Sequence, residues 1–93
     1  MKINLEFSGG LELLFDGLKQ TSVVVEDSSL KNLFKKIESE LITQNKELFL
    51  KDEKLRPGIL VLINESDWEL EGQYDYQLKD EDTIVLISTL HGG

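Results

Sequence analysis

The chain has no cysteine and a single histidine, His91, among its 93 residues. Without thiols it can form no disulfide, bind no metal through sulfur and offer no side-chain thiol nucleophile. One histidine cannot assemble a histidine-based zinc site, so no metal is expected. Apolar runs are short as well: the longest, Ile59–Ile63, falls far below the ~20 residues needed to cross a bilayer, and no membrane association is expected. The first ten residues, MKINLEFSGG, alternate apolar and polar instead of placing a basic segment before an apolar one, so no signal peptide is legible. The absence of cysteine fits a reducing cytoplasm.

Basic residues are also scarce. Ten Lys and Arg stand against 18 Asp and Glu, a net charge of −8. The imbalance concentrates in one stretch, where Glu65, Asp67, Glu69, Glu71, Asp75, Asp80, Glu81 and Asp82 face only Lys79. Such an edge repels phosphate backbones, which argues against direct nucleic-acid binding and favours either a basic protein partner or simple solubility. The carboxylates sit in turn-like polar surroundings and are expected to remain solvated and ionised. No acid–base pair, calcium loop or phosphate-binding glycine loop is readable, so no catalytic residue is expected.

What is present is a compact alternation of patterns. A chain of this length makes one domain, 1–93, with one modest core. KINLEF puts Ile3, Leu5 and Phe7 on one face of a strand. SGG breaks it, and LELLFDGLKQ reads as a loop or single turn packed on the core. TSVVV is a second, antiparallel strand. Leu30, Leu33, Phe34, Ile37 and Leu41 recur at helical spacing, with Ser28 or Ser29 as cap and Asn45 as stop. Residues 46–58 are ambiguous and end in an Arg56-Pro57-Gly58 turn. ILVLIN is a strand, WELEG a short edge strand and TIVLIS the last strand.

Strand, strand, helix, strand, short strand, strand is the order of the β-grasp arrangement, an α+β fold with a mixed sheet of about five strands and one main helix across one face. In it the first and last strands run parallel at the sheet's centre, so the residues after TIVLIS leave from the middle of the sheet. Residues 89–93 are therefore expected to form a flexible tail. The sequence shows no oligomer signal and a monomer is expected.

That tail reads Thr89, Leu90, His91, Gly92, Gly93. Two glycines lack Cβ atoms, so they make a thin segment able to enter a narrow channel, and the Gly93 carbonyl carbon is as uncrowded as any residue allows. A carboxylate is a poor electrophile, but an acyl-adenylate formed with ATP is a good one. Sulfur, a thiol or an amine can then displace AMP. The chain would thus be substrate and carrier, with catalysis supplied by the enzyme that activates it. An arbitrary cut or a frayed end is the competing explanation.

Residues 56–72, RPGILVLINESDWELEG, and 75–93, DYQLKDEDTIVLISTLHGG, closely resemble the eukaryotic ubiquitin-related modifier family, a ubiquitin-like branch of the β-grasp sulfur carriers. FSGGLELLF, residues 7–15, is a second matching stretch, whereas 16–55 fits in pattern only. Leu86 departs from the family, which carries Phe there, a core-sized apolar exchange. The resemblance implies that an E1-like enzyme with a rhodanese-like sulfur donor adenylates Gly93 and converts it to a thiocarboxylate. It implies passage of that sulfur through a tRNA thiolase complex to the wobble uridine of cytosolic tRNAs, and conjugation of the same end to lysines of target proteins. Gly92, His91, Leu90 and Thr89 would be read as the tail. The chain itself needs no cofactor, ATP being used by the activating enzyme.

Similarity to ubiquitin-like folds also places Ile84 and Leu86 toward the helix. Val85 and Ile87, with one face of Ile59–Ile63, would then form an apolar patch for the activating enzyme, unless residues 46–58 cover it. Two alternatives stay open: the sulfur-carrier subunit of another pathway such as molybdopterin synthesis, and a ubiquitin-like interaction module whose tail is inert.

Overall fold

A computed structural model describes residues 1–89. Strand β1 (Lys2–Ser8) buries Ile3, Leu5 and Phe7 and exposes the alternate positions, as its period of two dictates. Left-handed Gly9 and Gly10 then turn the chain into a short 3-10 helix, Leu11–Phe15, which buries Leu11 and stacks Phe15 on Phe7 at 3.8 Å between ring centroids. Strand β2 (Gln20–Val24) returns antiparallel to β1.

Helix α1 (Leu30–Leu41) lays Leu30, Leu33, Phe34 and Ile37 into the core. Ser29 is its cap: the Asn32 N–H donates to Ser29 Oγ at 3.2 Å, while Asp27 accepts from Ser29 N–H at 2.9 Å and from the Asn32 side chain at 2.8 Å. The helix ends before Asn45, the expected stop, because Ile42 turns extended and is itself buried. Asn45, left-handed at φ 59°, instead starts the 3-10 turn Lys46–Leu48.

The ambiguous segment 46–58 contains a small hairpin, β3 (Leu50–Lys51) and β4 (Lys54–Leu55). Asp52 and Glu53 both have positive φ at its tip, as a tight hairpin turn requires. This segment lies on the helix side of the sheet. Phe49, fully buried, packs edge-on against Phe15 and Phe34.

Strands β5 (Ile59–Ile63), β6 (Ser66–Asp67) and β7 (Thr83–Ser88) complete a five-stranded sheet in the order β2-β1-β7-β5-β6. Strand β7 is central, parallel to β1 and antiparallel to β5. A mixed five-stranded sheet crossed by one helix is the β-grasp fold.

Two expectations fail here. WELEG is not an edge strand: β6 is confined to Ser66–Asp67, and Trp68–Glu71 forms a 3-10 helix. Asp67 caps it by accepting from Glu69 N–H at 2.9 Å, Gly72 ends it in a left-handed conformation, and Trp68 turns inward to pack edge-on against Phe34 and Tyr74. Nor are all acids of the acidic stretch solvated. Seven of the eight are exposed, but Asp82 is buried, because strand β7 starts directly after it and draws it under Asn64 and Tyr76. No helix of the described residues is long and apolar enough to cross a membrane.

Candidate functional site

Strand β7 carries aliphatic residues on both faces. Ile84 and Leu86 point under α1 and have no solvent exposure. Val85 and Ile87 project from the opposite face and are half-buried. Each lies beside a leucine of β5 in the antiparallel register, Val85 opposite Leu62 and Ile87 opposite Leu60, which is itself 50% exposed. On the β1 side the neighbours are Glu6 and Ser8. Directly opposed side chains in a ladder share one face, so these four aliphatics form a continuous strip with a polar border. Phe49 of the 46–58 segment packs on the other side of the sheet, against Phe15 and Phe34, and the strip keeps Leu60 half-exposed with Leu62, Val85 and Ile87 partly exposed.

The strip runs toward the root of the tail, where the chain is held from two sides. On one side the Thr89 N–H and Oγ1 both donate to the Gly58 carbonyl, at 2.8 and 2.7 Å. Gly58 can offer that carbonyl because it adopts φ 94° after Pro57. On the other side Gly9 lies so close that a Cβ there would stand 2.4 Å from the Ser88 carbonyl oxygen and 2.9 Å from Ile87 Cγ2. Glycine is required at that point both by this approach and by its φ of 70°. The SGG stretch, legible in the sequence only as a turn, thus packs against the end of β7. Thr89 is exposed, yet its hydroxyl is committed within the fold. Leu90, His91, Gly92 and Gly93 lie outside the described residues.

The start of β7 is anchored by chemistry that composition did not reveal. Asp82 accepts from the Asn64 amide at 2.8 Å, the Tyr76 hydroxyl at 2.7 Å and the Lys79 N–H at 2.9 Å. Asn64 in turn accepts from Thr83 N–H at 2.9 Å, which ties the β5–β6 turn to the first residue of β7. Burial alone would raise the Asp82 carboxyl, but these hydrogen bonds outweigh it and hold the group below the usual carboxylate range. Tyr76 responds oppositely: burial, together with its bond to the Asp82 charge, pushes the phenol up to about 12. This triad is a structural clamp that ties the start of β7 to the β5–β6 turn and to Tyr76.

Comparison with known proteins agrees with this geometry. The family model described as Urm1 (Ubiquitin related modifier) matches residues 2–93. The ubiquitin-related modifier 1 of Gallus gallus is 50% identical over 97 aligned positions, covering 100% of this chain and 96% of the relative. Among solved structures, Urm1 from Trypanosoma brucei superposes with a TM-score of 0.83 at 37% identity, covering 99% of this chain and 95% of the other. A chain in the Amycolatopsis orientalis BexX/CysO complex superposes with a TM-score of 0.72 at 25% identity, covering 98% and 99%.

Proposed function

Because the chain belongs to the ubiquitin-related modifier family, whose members are ubiquitin-like modifiers and sulfur carriers, we propose that its Gly93 carboxylate is the reacting group and that the chain is a substrate, not an enzyme. An E1-like enzyme transfers AMP from ATP to that carboxylate and releases pyrophosphate. The terminal sulfur of a rhodanese-like persulfide then attacks the acyl carbon and AMP leaves, giving an acyl disulfide with the enzyme. A second thiol attacks the enzyme-side sulfur, forming a disulfide there and releasing the thiocarboxylate. Because no cysteine is present, sulfur bound covalently as a reactive group has the terminal carboxyl as its place of attachment. The finer reading is that the sulfur reaches the wobble uridine of cytosolic tRNAs through a thiolase complex, and that the activated end also joins lysines of target proteins.

The observation that carries the proposal is the family match, which runs through residue 93. The geometry supplies physical support. The strip of Leu60, Leu62, Val85 and Ile87 spans β5 and the strand that leads to the tail, so an enzyme gripping it would hold the root of the tail at a fixed distance from its nucleotide. The clamp at Thr89 reduces the freedom of that root. Leu90, His91 and Gly92 would be read by the channel that admits Gly93, and Thr89 would serve as their anchor. The acidic surface favours delivery to a basic protein over direct contact with RNA.

The test is the intact mass of the full chain after incubation with its E1-like enzyme, ATP and a persulfide donor. A gain equal to exchange of one oxygen for sulfur, confined to the C-terminal peptide, is expected. A chain with one residue appended after Gly93 should show no gain. An unchanged mass with an enzyme active on a control substrate would overturn the carrier reading and leave an interaction module.

A further inference from the structure

The two edges of the sheet are built differently. At one edge β6 has two residues, carries Asp67 and turns at once into the Trp68–Glu71 helix. At the other, β2 runs for five residues, Gln20–Val24, with no charge, no proline and no bulge in its register with β1. Sheet edges left long and uncharged are templates for pairing, and proteins usually blunt them. Among the described residues no strand pairs with the outer side of β2.

The hydrogen-bonding direction along β2 follows from its ends. Val25 N–H donates to the Met1 carbonyl and Phe7 N–H to the Lys19 carbonyl, each at 2.9 Å, so odd-numbered residues turn their polar groups toward β1. By the alternation of an antiparallel ladder, the N–H and C=O of Gln20, Ser22 and Val24 face outward. Beside this edge, between the end of β2 and α1, lies a groove of about 340 Å³ walled by Val24, Val25, Glu26, Asn32, Leu33 and Lys36. A strand laid along β2 would set alternate side chains over that groove and the others beside Val24, whose side chain is 68% exposed on the outer face.

We propose that β2 is a docking edge for an extended segment of another protein, with apolar or β-branched side chains at alternate positions and a lysine or arginine at the end lying against Glu26 and Asp27. Main-chain bonds would give affinity and the groove would select side chains. Charge decides the partner. The edge ends in two exposed acids, and Lys36, the one base lining the groove, is already bonded to Glu40 at 3.0 Å. A second copy would set two molecules of net charge −8 against each other, whereas a basic segment neutralises the acids at this end of the edge. The site is separate from the strip on β7, and both could be occupied together.

The probe is a synthetic peptide of alternating valine and threonine with two lysines at each end, titrated into the full chain and followed by amide NMR. Hydrogen exchange at Gln20, Ser22 and Val24 should slow on saturation, while Thr21 and Val23, already paired with β1, should change little. Shifts should extend to Asn32, Leu33 and Lys36. Replacing the peptide's lysines by glutamates should weaken binding by about tenfold or more at low salt. Ser22→Pro removes an outward N–H without touching the β1 ladder and should abolish protection. Should that variant unfold, Glu26→Lys, at an exposed position, gives a separate reading by narrowing the preference for the lysine-flanked peptide. Shifts centred on Leu60, Val85 and Ile87 with β2 unaffected, or no saturable binding, would overturn the proposal. So would protection of the same amides by concentration-dependent dimerisation without peptide.

Discussion

The two faces of β7 are chemically alike and physically opposite. Ile84 and Leu86 on one face, Val85 and Ile87 on the other, are all aliphatic residues of similar hydrophobicity. Because α1 crosses only one side, the first pair is sealed from water and the second is half-covered by Leu60 and Leu62. The difference shows how one strand can divide by parity: even positions hold the fold together, while odd positions stay half-exposed, where the proposed partner would meet them. A single-residue slip in register would exchange the two roles.

Leu86→Ala is the strongest way to sharpen this contrast. Removing a wholly buried leucine side chain should cost about 2–5 kcal/mol, read from urea denaturation. If Ile87→Ala cost as much, the two faces would not be distinct. Gly9→Ala comes next. Its new methyl would meet the Ser88 carbonyl and force a left-handed alanine, at a cost of about 2–3 kcal/mol. A near-neutral result would mean that the end of β7 yields easily and is not tightly held.

Asp82→Asn should cost about 1–2 kcal/mol, because an amide replaces a carboxylate that accepts three hydrogen bonds. The same group sets an acid limit. Its folded pKa lies below the ordinary value, so its contribution is fully present above the unfolded carboxylate pKa and is lost as pH falls through the lower, folded one. Denaturation midpoints across that acidic range should fall less steeply for the asparagine variant than for the natural chain. Equal slopes would assign the acid sensitivity to other carboxylates.

The smallest stability effect belongs to the outer face. Val85→Glu and Ile87→Glu should shift stability by about 1 kcal/mol or less. In the adenylation assay they should raise the apparent KM for the activating enzyme about tenfold or more while the fold persists. Loss of cooperative unfolding in these variants would make the pair part of the core and remove the recognition strip.

The elements with strong period were legible beforehand. KINLEF and the Leu30-to-Leu41 stripe each announce which face is buried, and the parallel pairing of first and last strands followed from element order. TIVLIS announces a strand but, being aliphatic on both faces, left its buried face to the resemblance. WELEG misled because its alternation of Trp68 and Leu70 imitates a strand. The decisive signals were instead local: an Asp67 side chain that caps a turn and a Gly72 that ends it. Asp82 was hidden for a different reason. Within KDED it looks like its neighbours, and only the fold brings Asn64 and Tyr76, 18 and 6 residues away, to its oxygens. The Gly58–Thr89 latch joins residues 31 apart and leaves no mark in either local sequence.

The central place of β7 also bears on how the molecule is made. The sheet order puts residues 83–88 between two halves, β2-β1 and β5-β6, which share no strand pairing without it. A nascent chain is synthesised from its N-terminus, so the halves emerge first and wait for the strand that joins them. Their union requires long-range pairing that cannot precede the synthesis of residues 83–88. Any molecule that has acquired the native sheet has therefore already received the strand bearing the tail. A ribosome that stalls before residue 83 therefore yields a fragment that lacks the central strand and cannot complete the native sheet.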